Sequence, residues 1–216
     1  IDGIPQAGII TSASPYALDI EDAGTYIIDS VSTGNCSGPG GNSLDVTLLE
    51  LPTALLSGQD IVCPGFLGQL NLDFGGTGPW EIEYSIDGIA SGTETFTDTI
   101  SIWAVNEEGN YTMTSVSDAN CSNTANGIGQ LALYDLPDAS FLNTEATICS
   151  GESVVFPVNF SGAAPFTLSY ALDGLPQADI FTADGQAFLT FSESGTYSLE
   201  NISDANCSSD PNSIAQ

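Results

Sequence analysis

Lysine, arginine and histidine are absent from this chain of 216 residues, while Asp and Glu together number 28, for a formal charge of −28. With no basic side chain, no side-chain salt bridge can form, and the cations around the molecule are solvent ions or a partner. Nucleic acid and anionic membranes are excluded as partners, because binding them draws on Lys and Arg. A Ser or Cys nucleophile lacks its usual base, and a transferring phosphoryl group lacks a clamp. No stretch approaches the roughly 20 apolar residues of a membrane span, so membrane insertion by this segment is not expected. These residues hold no stretch with a basic start and an apolar centre, and any targeting segment is expected to lie outside them.

The residues that are present argue for folded domains. Hydrophobic residues make up 42% of the chain and mean hydropathy is +0.12, enough apolar material for cores despite the acidity. One phrase occurs three times: Gly24-Thr25-Tyr26 with Asn35-Cys36-Ser37, Gly109-Asn110-Tyr111 with Asn120-Cys121-Ser122, and Gly195-Thr196-Tyr197 with Asn206-Cys207-Ser208. The copies lie 85 and 86 residues apart, and each Tyr precedes its Cys by ten. A period of this size denotes a tandem array of small domains. Further matches fix the unit: Leu51-Pro52-Thr53-Ala54 with Leu136-Pro137-Asp138-Ala139, and Ile86-Asp87-Gly88-Ile89 with Leu172-Asp173-Gly174-Leu175 and Ile1-Asp2-Gly3-Ile4. Residues 1–50 then read as the C-terminal part of a repeat whose front is missing, followed by complete repeats over 51–135 and 136–216.

Every local signal within a repeat is β. Phe66–Phe74, Trp80–Ile86 and Val154–Phe160 alternate apolar and polar residues, and Tyr111–Val116 and Leu131–Tyr134 supply further strands. Trp80–Ile86 runs into Asp-Gly, a strong hairpin signal. Roughly seven short strands in 85 residues predict an all-β fold: tandem immunoglobulin-like antiparallel β-sandwiches joined head to tail. Tyr26, Tyr111 and Tyr197 fit the corner position before strand F, where the hydroxyl ties back to the preceding turn, and Trp80 and Phe166 fit the core aromatic of strand C. All five are expected to be buried framework in the core.

Five cysteines follow the same logic. Cys63 precedes Cys121 by 58 residues, and Cys149 precedes Cys207 by the same number. This spacing predicts the intradomain bridges Cys63–Cys121 and Cys149–Cys207, each stapling one end of a sandwich, with the partner of Cys36 outside the sequence. Such a bridge contributes about 4 kcal/mol in the chain-entropy model and belongs to an oxidising compartment. A zinc site would need close-set ligand pairs, which the sequence does not contain.

Enzymatic chemistry is reduced to carboxylate pairs such as Glu81 with Glu83 or Glu107 with Glu108. Glu81 and Glu83 become Thr167 and Ser169 in the last repeat, so solvated strand and turn positions explain them better, and no enzyme is expected. No cofactor is required. Calcium is the one metal with suitable ligands, at Asp118 with Asn120 and at Asp204 with Asn206, although Asp and Asn also cap turns and the first copy has Thr33 at the Asp position.

The phrases Tyr111–Cys121, Leu51–Ala54, Thr147–Gly151 and Ala164–Tyr170 resemble the Ig- or PKD-like repeats of giant Bacteroidota surface adhesins, the SprB-type gliding-motility proteins among them. That resemblance implies type IX secretion, an extracellular place on the cell surface, and a stalk or filament that supports adhesion or gliding. It also implies neighbouring repeats, other copies in a filament and surface polysaccharide as partners, and O-glycosylation at Ser30 and Thr99. A second reading makes the repeats glycan- or ligand-binding modules, with an exposed aromatic such as Trp103 holding the sugar, although a core strand position explains Trp103 better.

Overall fold

The computed structural model describes residues 1–210 and 213–215. The described residues contain strands and no helix. In the first fifty residues, β1 (Gly24–Ile27), β2 (Ser30–Thr33), β3 (Cys36–Pro39) and β4 (Ser43–Val46) form two small two-stranded pairings, β1 with β4 and β2 with β3. None of these residues joins a buried core.

The next stretch holds β5 (Thr53–Ser57), β6 (Gln59–Val62), β7 (Gly68–Gly75), β8 (Trp80–Ile86) and β9 (Ile89–Phe96). It continues with β10 (Ile100–Val105), β11 (Gly109–Ser117), β12 (Ser122–Thr124) and β13 (Asn126–Leu133). One layer is β5, β7 and β10, and the other is β6, β13, β11, β12, β8 and β9, the two being joined along one edge by a short pairing of β5 with β13. These are the two faces of an Ig-like sandwich. Nine strands replace the seven expected because two of them divide. The first strand breaks at Gly58, whose φ of 114° lets the chain leave one layer as β5 and enter the other as β6. The last strand is interrupted between β12 and β13, which both pair with β11, while Asn126 and Gly127 of β13 also pair in parallel with Leu55 and Leu56 of β5.

The last repeat has the same plan: β14 (Asp138–Phe141), β15 (Val154–Ser161), β16 (Phe166–Leu172), β17 (Leu175–Pro176), β18 (Ile180–Thr182), β19 (Gln186–Phe191), β20 (Tyr197–Ser203), β21 (Ser208–Ser209) and β22 (Ser213–Ala215). Strands β14, β15 and β19 make one layer, and β16 with β17, β18, β20, β21 and β22 makes the other.

Each sandwich closes on its own core, and the alternation of the sequence decides which side chains enter it. β7 alternates buried and exposed residues, placing Leu70, Leu72 and Phe74 inside. Trp80 lies at the near end of β8, stacked on Phe74 with 5.1 Å between ring centres, and its indole N–H donates to the Gly75 carbonyl at 3.1 Å. Phe160 and Phe166 repeat that stack 86 residues later at 5.2 Å. Phe156, Val158, Leu168, Leu199 and Ile202 complete the second core. The run expected to begin at Phe66 begins at Gly68. Phe66 and Leu67 are exposed in a turn closed by the Phe66 N–H and the Cys63 carbonyl at 3.1 Å.

Candidate functional site: the junction between repeats

Residues 134–137 link the two complete sandwiches, and both neighbours close in on them. Leu133 pairs with Val62 at the end of the parallel β6–β13 ladder, and the Tyr134 N–H donates to the Val62 carbonyl at 2.9 Å. Cys63 therefore sits beside the start of the linker. From the other side, the Ser209 hydroxyl donates to the Pro137 carbonyl, so the loop carrying Cys207 sits beside the end of the linker. Pro137 itself is fully buried. Gly162, with φ 131°, approaches its Cα so closely that a Cβ there would lie 3.2 Å away.

Asp204 holds the cysteine loop in place. Its carboxylate accepts the N–H groups of Asn206 at 2.7 Å, Cys207 at 2.8 Å and Ala163 at 2.7 Å. Partial burial pushes this carboxyl upward, but the three N–H bonds outweigh it and leave the pKa below the usual carboxylate value. Asp118 does the same for Cys121, accepting the N–H groups of Asn120 and Cys121 at 2.8 Å each, and those bonds lower its pKa. The candidate calcium positions Asp118, Asn120, Asp204 and Asn206 are thus engaged in turn geometry. Among the described residues, no three His, Cys, Asp or Glu side chains gather as a metal site.

The disulfide of the structure crosses this junction. Cys63 is bonded to Cys207, with 5.8 Å between Cα atoms and 144 residues between them in sequence. Cys36, Cys121 and Cys149 carry free thiols. This corrects the expected pairs Cys63–Cys121 and Cys149–Cys207, and strand direction gives the reason. Leu131 pairs with Gly109 at the start of β11, so Cys63 lies at that end of the sandwich. Cys121 follows the other end, beyond Ser117. Nine residues of extended strand separate the two ends, about 30 Å. A disulfide tolerates a Cα separation of only about 4.4–6.8 Å. The early cysteine of a repeat therefore faces the late cysteine of the next one. Closing the 144-residue loop contributes about 5 kcal/mol in the chain-entropy model, and the loop spans both repeats.

The hydroxyls of Tyr26, Tyr111 and Tyr197 donate to the carbonyls of Asp22, Glu107 and Glu193 at 2.9, 2.6 and 3.1 Å. Burial pushes the Tyr111 and Tyr197 phenols up. Tyr111, Tyr197, Trp80 and Phe166 are buried in the two cores. Tyr26, expected there too, is half-buried and joins neither, because the first fifty residues form only two-stranded pairings. Trp103, the aromatic offered for glycan binding, is only 6% exposed. It packs edge-on against Tyr84 at 4.7 Å and Tyr111 at 5.3 Å, out of reach of a sugar. Ser30 and Thr99 are exposed, as are Glu81 and Glu83 on the outer side of β8 and Glu107 and Glu108 before β11.

One connection escaped the sequence reading. Asp87 of the Asp-Gly hairpin accepts the Asn110 N–H, and Asp2 and Asp173 do the same to Thr25 and Thr196, always 23 residues ahead. The equal separation was the signal available in the sequence.

Comparison with known proteins puts these repeats in context. A family model described as the Ig-like domain of nucleoporin POM152 matches residues 55–126 and 136–215. Nucleoporin pom152 of Schizosaccharomyces pombe is 28% identical over 125 residues, which is 49% of this chain and 10% of that relative. Among solved structures, the I67–I69 fragment of titin is 15% identical with a TM-score of 0.43, over 78% of this chain and 66% of that one. The eight N-terminal Ig domains of DSCAM are 18% identical with a TM-score of 0.47, over 91% of this chain and 27% of that one. The relative is a fungal nucleoporin. That finding overturns the expected bacterial adhesin, together with its type IX secretion, gliding, cell-surface location and polysaccharide partners. It equally overturns the extracellular glycan-binding alternative. The chain belongs to the family of Ig-like domains described from nucleoporin POM152.

Proposed function

We propose that residues 51–135 and 136–216 are two repeats of a structural spacer in a protein of the nucleoporin kind, with other nucleoporins as its partners and no catalytic role. The observation that carries this reading is the Cys63–Cys207 bridge, which locks one sandwich to the next across a short linker containing a buried proline. Proline fixes one backbone dihedral of the linker, and the disulfide removes most of the remaining hinge freedom. Like charge along the chain keeps the repeats apart everywhere else. The bridge requires an oxidising compartment. For a nuclear-envelope protein that is the lumenal side, which is continuous with the endoplasmic reticulum.

Small-angle scattering of the chain before and after reduction tests the spacer. The oxidised chain gives one narrow distribution of distances between repeats, and reduction broadens it. An oxidised chain as variable as the reduced one contradicts a locked junction. Placement is tested separately, by tagging the full-length protein in its own cells. Signal in puncta along the nuclear rim supports the reading, and signal confined to the outer cell surface overturns it.

A further inference from the structure

Two of the three cysteines left free by the junction bridge, Cys121 and Cys149, occupy the same two poses as the cysteines that form it. Cys149 matches Cys63: its carbonyl accepts the Glu152 N–H at 3.1 Å, as that of Cys63 accepts the Phe66 N–H at 3.1 Å. Cys121 matches Cys207: its carbonyl accepts the Asp118 N–H at 2.9 Å, and Asp118 Oδ1 accepts its N–H at 2.8 Å. The corresponding distances at Asp204 and Cys207 are the same. The surroundings match as well. Asn123 beyond Cys121 donates to the Pro52 carbonyl, as Ser209 beyond Cys207 donates to that of Pro137. Each repeat thus presents an early cysteine at the end where the chain leaves it and a late cysteine at the end where the chain enters.

We infer that the bridge is a property of the repeat: Cys149 bonds the late cysteine of an Ig-like repeat docked behind it, and Cys121 bonds the early cysteine of one docked in front. The partner is a repeat of this same kind carrying an Asp-anchored cysteine loop beside its own entering Leu-Pro. The chemistry is thiol–disulfide exchange with an oxidised disulfide donor, such as glutathione disulfide. The Cys149 thiolate attacks one donor sulfur, forming a mixed disulfide and releasing one donor thiolate. The late-cysteine thiolate then attacks the Cys149 sulfur and displaces the second. Two protein thiols lose two protons and two electrons, and the donor is reduced to two thiols. The inference rests on the junction geometry and stands whether or not the protein belongs to a nuclear pore.

The test extends the full chain behind Gln216 with a copy of residues 131–135 and a second copy of 136–216 in which Thr147→Ser and Ser208→Thr give its two cysteine peptides masses of their own. This restores the 144-residue spacing between Cys149 and the added copy's late cysteine. The extended chain is oxidised in a glutathione buffer and its free thiols are alkylated. It is then cut at Asp and Glu, since trypsin has no site, and mapped by mass spectrometry without reduction. Two bridges are expected, Cys63–Cys207 and Cys149 to the added copy's Cys207, with Cys121 alkylated. Alkylated Cys149 beside an intact Cys63–Cys207 bridge overturns the inference, as does a bridge from Cys149 to Cys207 of its own repeat. In a Cys63→Ser version the Cys149 bridge persists, because each junction forms independently; its loss would overturn the inference too.

Discussion

Asp87 and Asn110 hold each other by a reciprocal pair of bonds: Asp87 Oδ1 accepts the Asn110 N–H at 3.0 Å, and the Asp87 N–H donates to the Asn110 carbonyl at 2.9 Å. The pair ties the β8–β9 hairpin to the start of β11. Asp2 with Thr25 and Asp173 with Thr196 repeat it. Asp and Gly of each hairpin both have positive φ, 50° and 80° at Asp87-Gly88, as a two-residue hairpin turn with both centres left-handed requires. Gly109 follows from the same contact. Its φ is 150°, and a Cβ there would meet the Ile86 side chain at 2.6 Å and the Asp87 carboxylate at 2.8 Å. Gly109→Ala is therefore expected to destabilise this repeat by about 1–3 kcal/mol. Gly88→Asn, at an open position, costs clearly less. Urea unfolding of both variants measures the difference.

The corner tyrosines give a second prediction. Tyr111→Phe and Tyr197→Phe each remove one hydroxyl-to-carbonyl bond at a buried ring, and each is expected to cost about 1 kcal/mol. Tyr26→Phe, whose ring belongs to no buried core, should leave the melting of the two complete repeats unchanged. Differential scanning calorimetry resolves the three.

Trp103→Ala should cost about 3–5 kcal/mol, because the indole fills the space between Tyr84, Phe96 and Tyr111. The same substitution separates a core residue from a ligand contact. An exposed sugar-stacking tryptophan could be removed with little effect on the denaturation midpoint.

Charge sets the response to salt and acid. With 28 carboxylates and no basic side chain, screening weakens repulsion and no salt bridge is lost, so added sodium chloride raises the melting temperature. Acid acts in the opposite sense at particular sites. Asp87, held low by the N–H and side-chain amide of Asn110, and Asp118 and Asp204, held low by loop N–H groups, have folded pKa values below their unfolded ones. Their contribution is complete above the unfolded value near 4 and disappears as pH falls through the folded values below it. Thermal melts taken from pH 7 to pH 2 should show a steep loss below about pH 4. A melting temperature still rising below pH 3 would contradict these anchors.

How much of this was legible beforehand depends on what sequence spacing encodes. Strand β8 occupies the predicted Trp80–Ile86, because strict alternation ends at an Asp-Gly turn. The cores at Trp80 and Phe166 were legible for the same reason. The junction was not. In a tandem array, pairing within a repeat and pairing with the next repeat carry the same periodicity, so the recurrent spacing of 58 could not choose between them. The choice needed the direction of β11, which carries Cys121 to the end of the sandwich opposite Cys63. The Asp118 and Asp204 positions offered either turn caps or calcium ligands, with turn capping the favoured reading, and backbone N–H groups bond both carboxylates. The resemblance to surface adhesins rested on shared framework phrases, which report the architecture of a repeat and say little about the assembly that uses it.

The bridge also sets a mechanical signature. When the chain is pulled by its ends, load passes from Cys63 directly to Cys207, and the residues between them are shielded. Single-molecule extension in the presence of reductant should release about 500 Å more chain than in its absence, from the 144 residues freed. Equal extension in both conditions would mean that the bridge does not carry the load.

The most direct measurement is a disulfide map of the intact 216-residue chain, folded under oxidising conditions, alkylated and digested without reduction. A peptide linking Cys63 to Cys207, with Cys36, Cys121 and Cys149 alkylated, is the predicted result. Peptides linking Cys63 to Cys121 and Cys149 to Cys207 would contradict the locked junction and return each bridge to its own repeat.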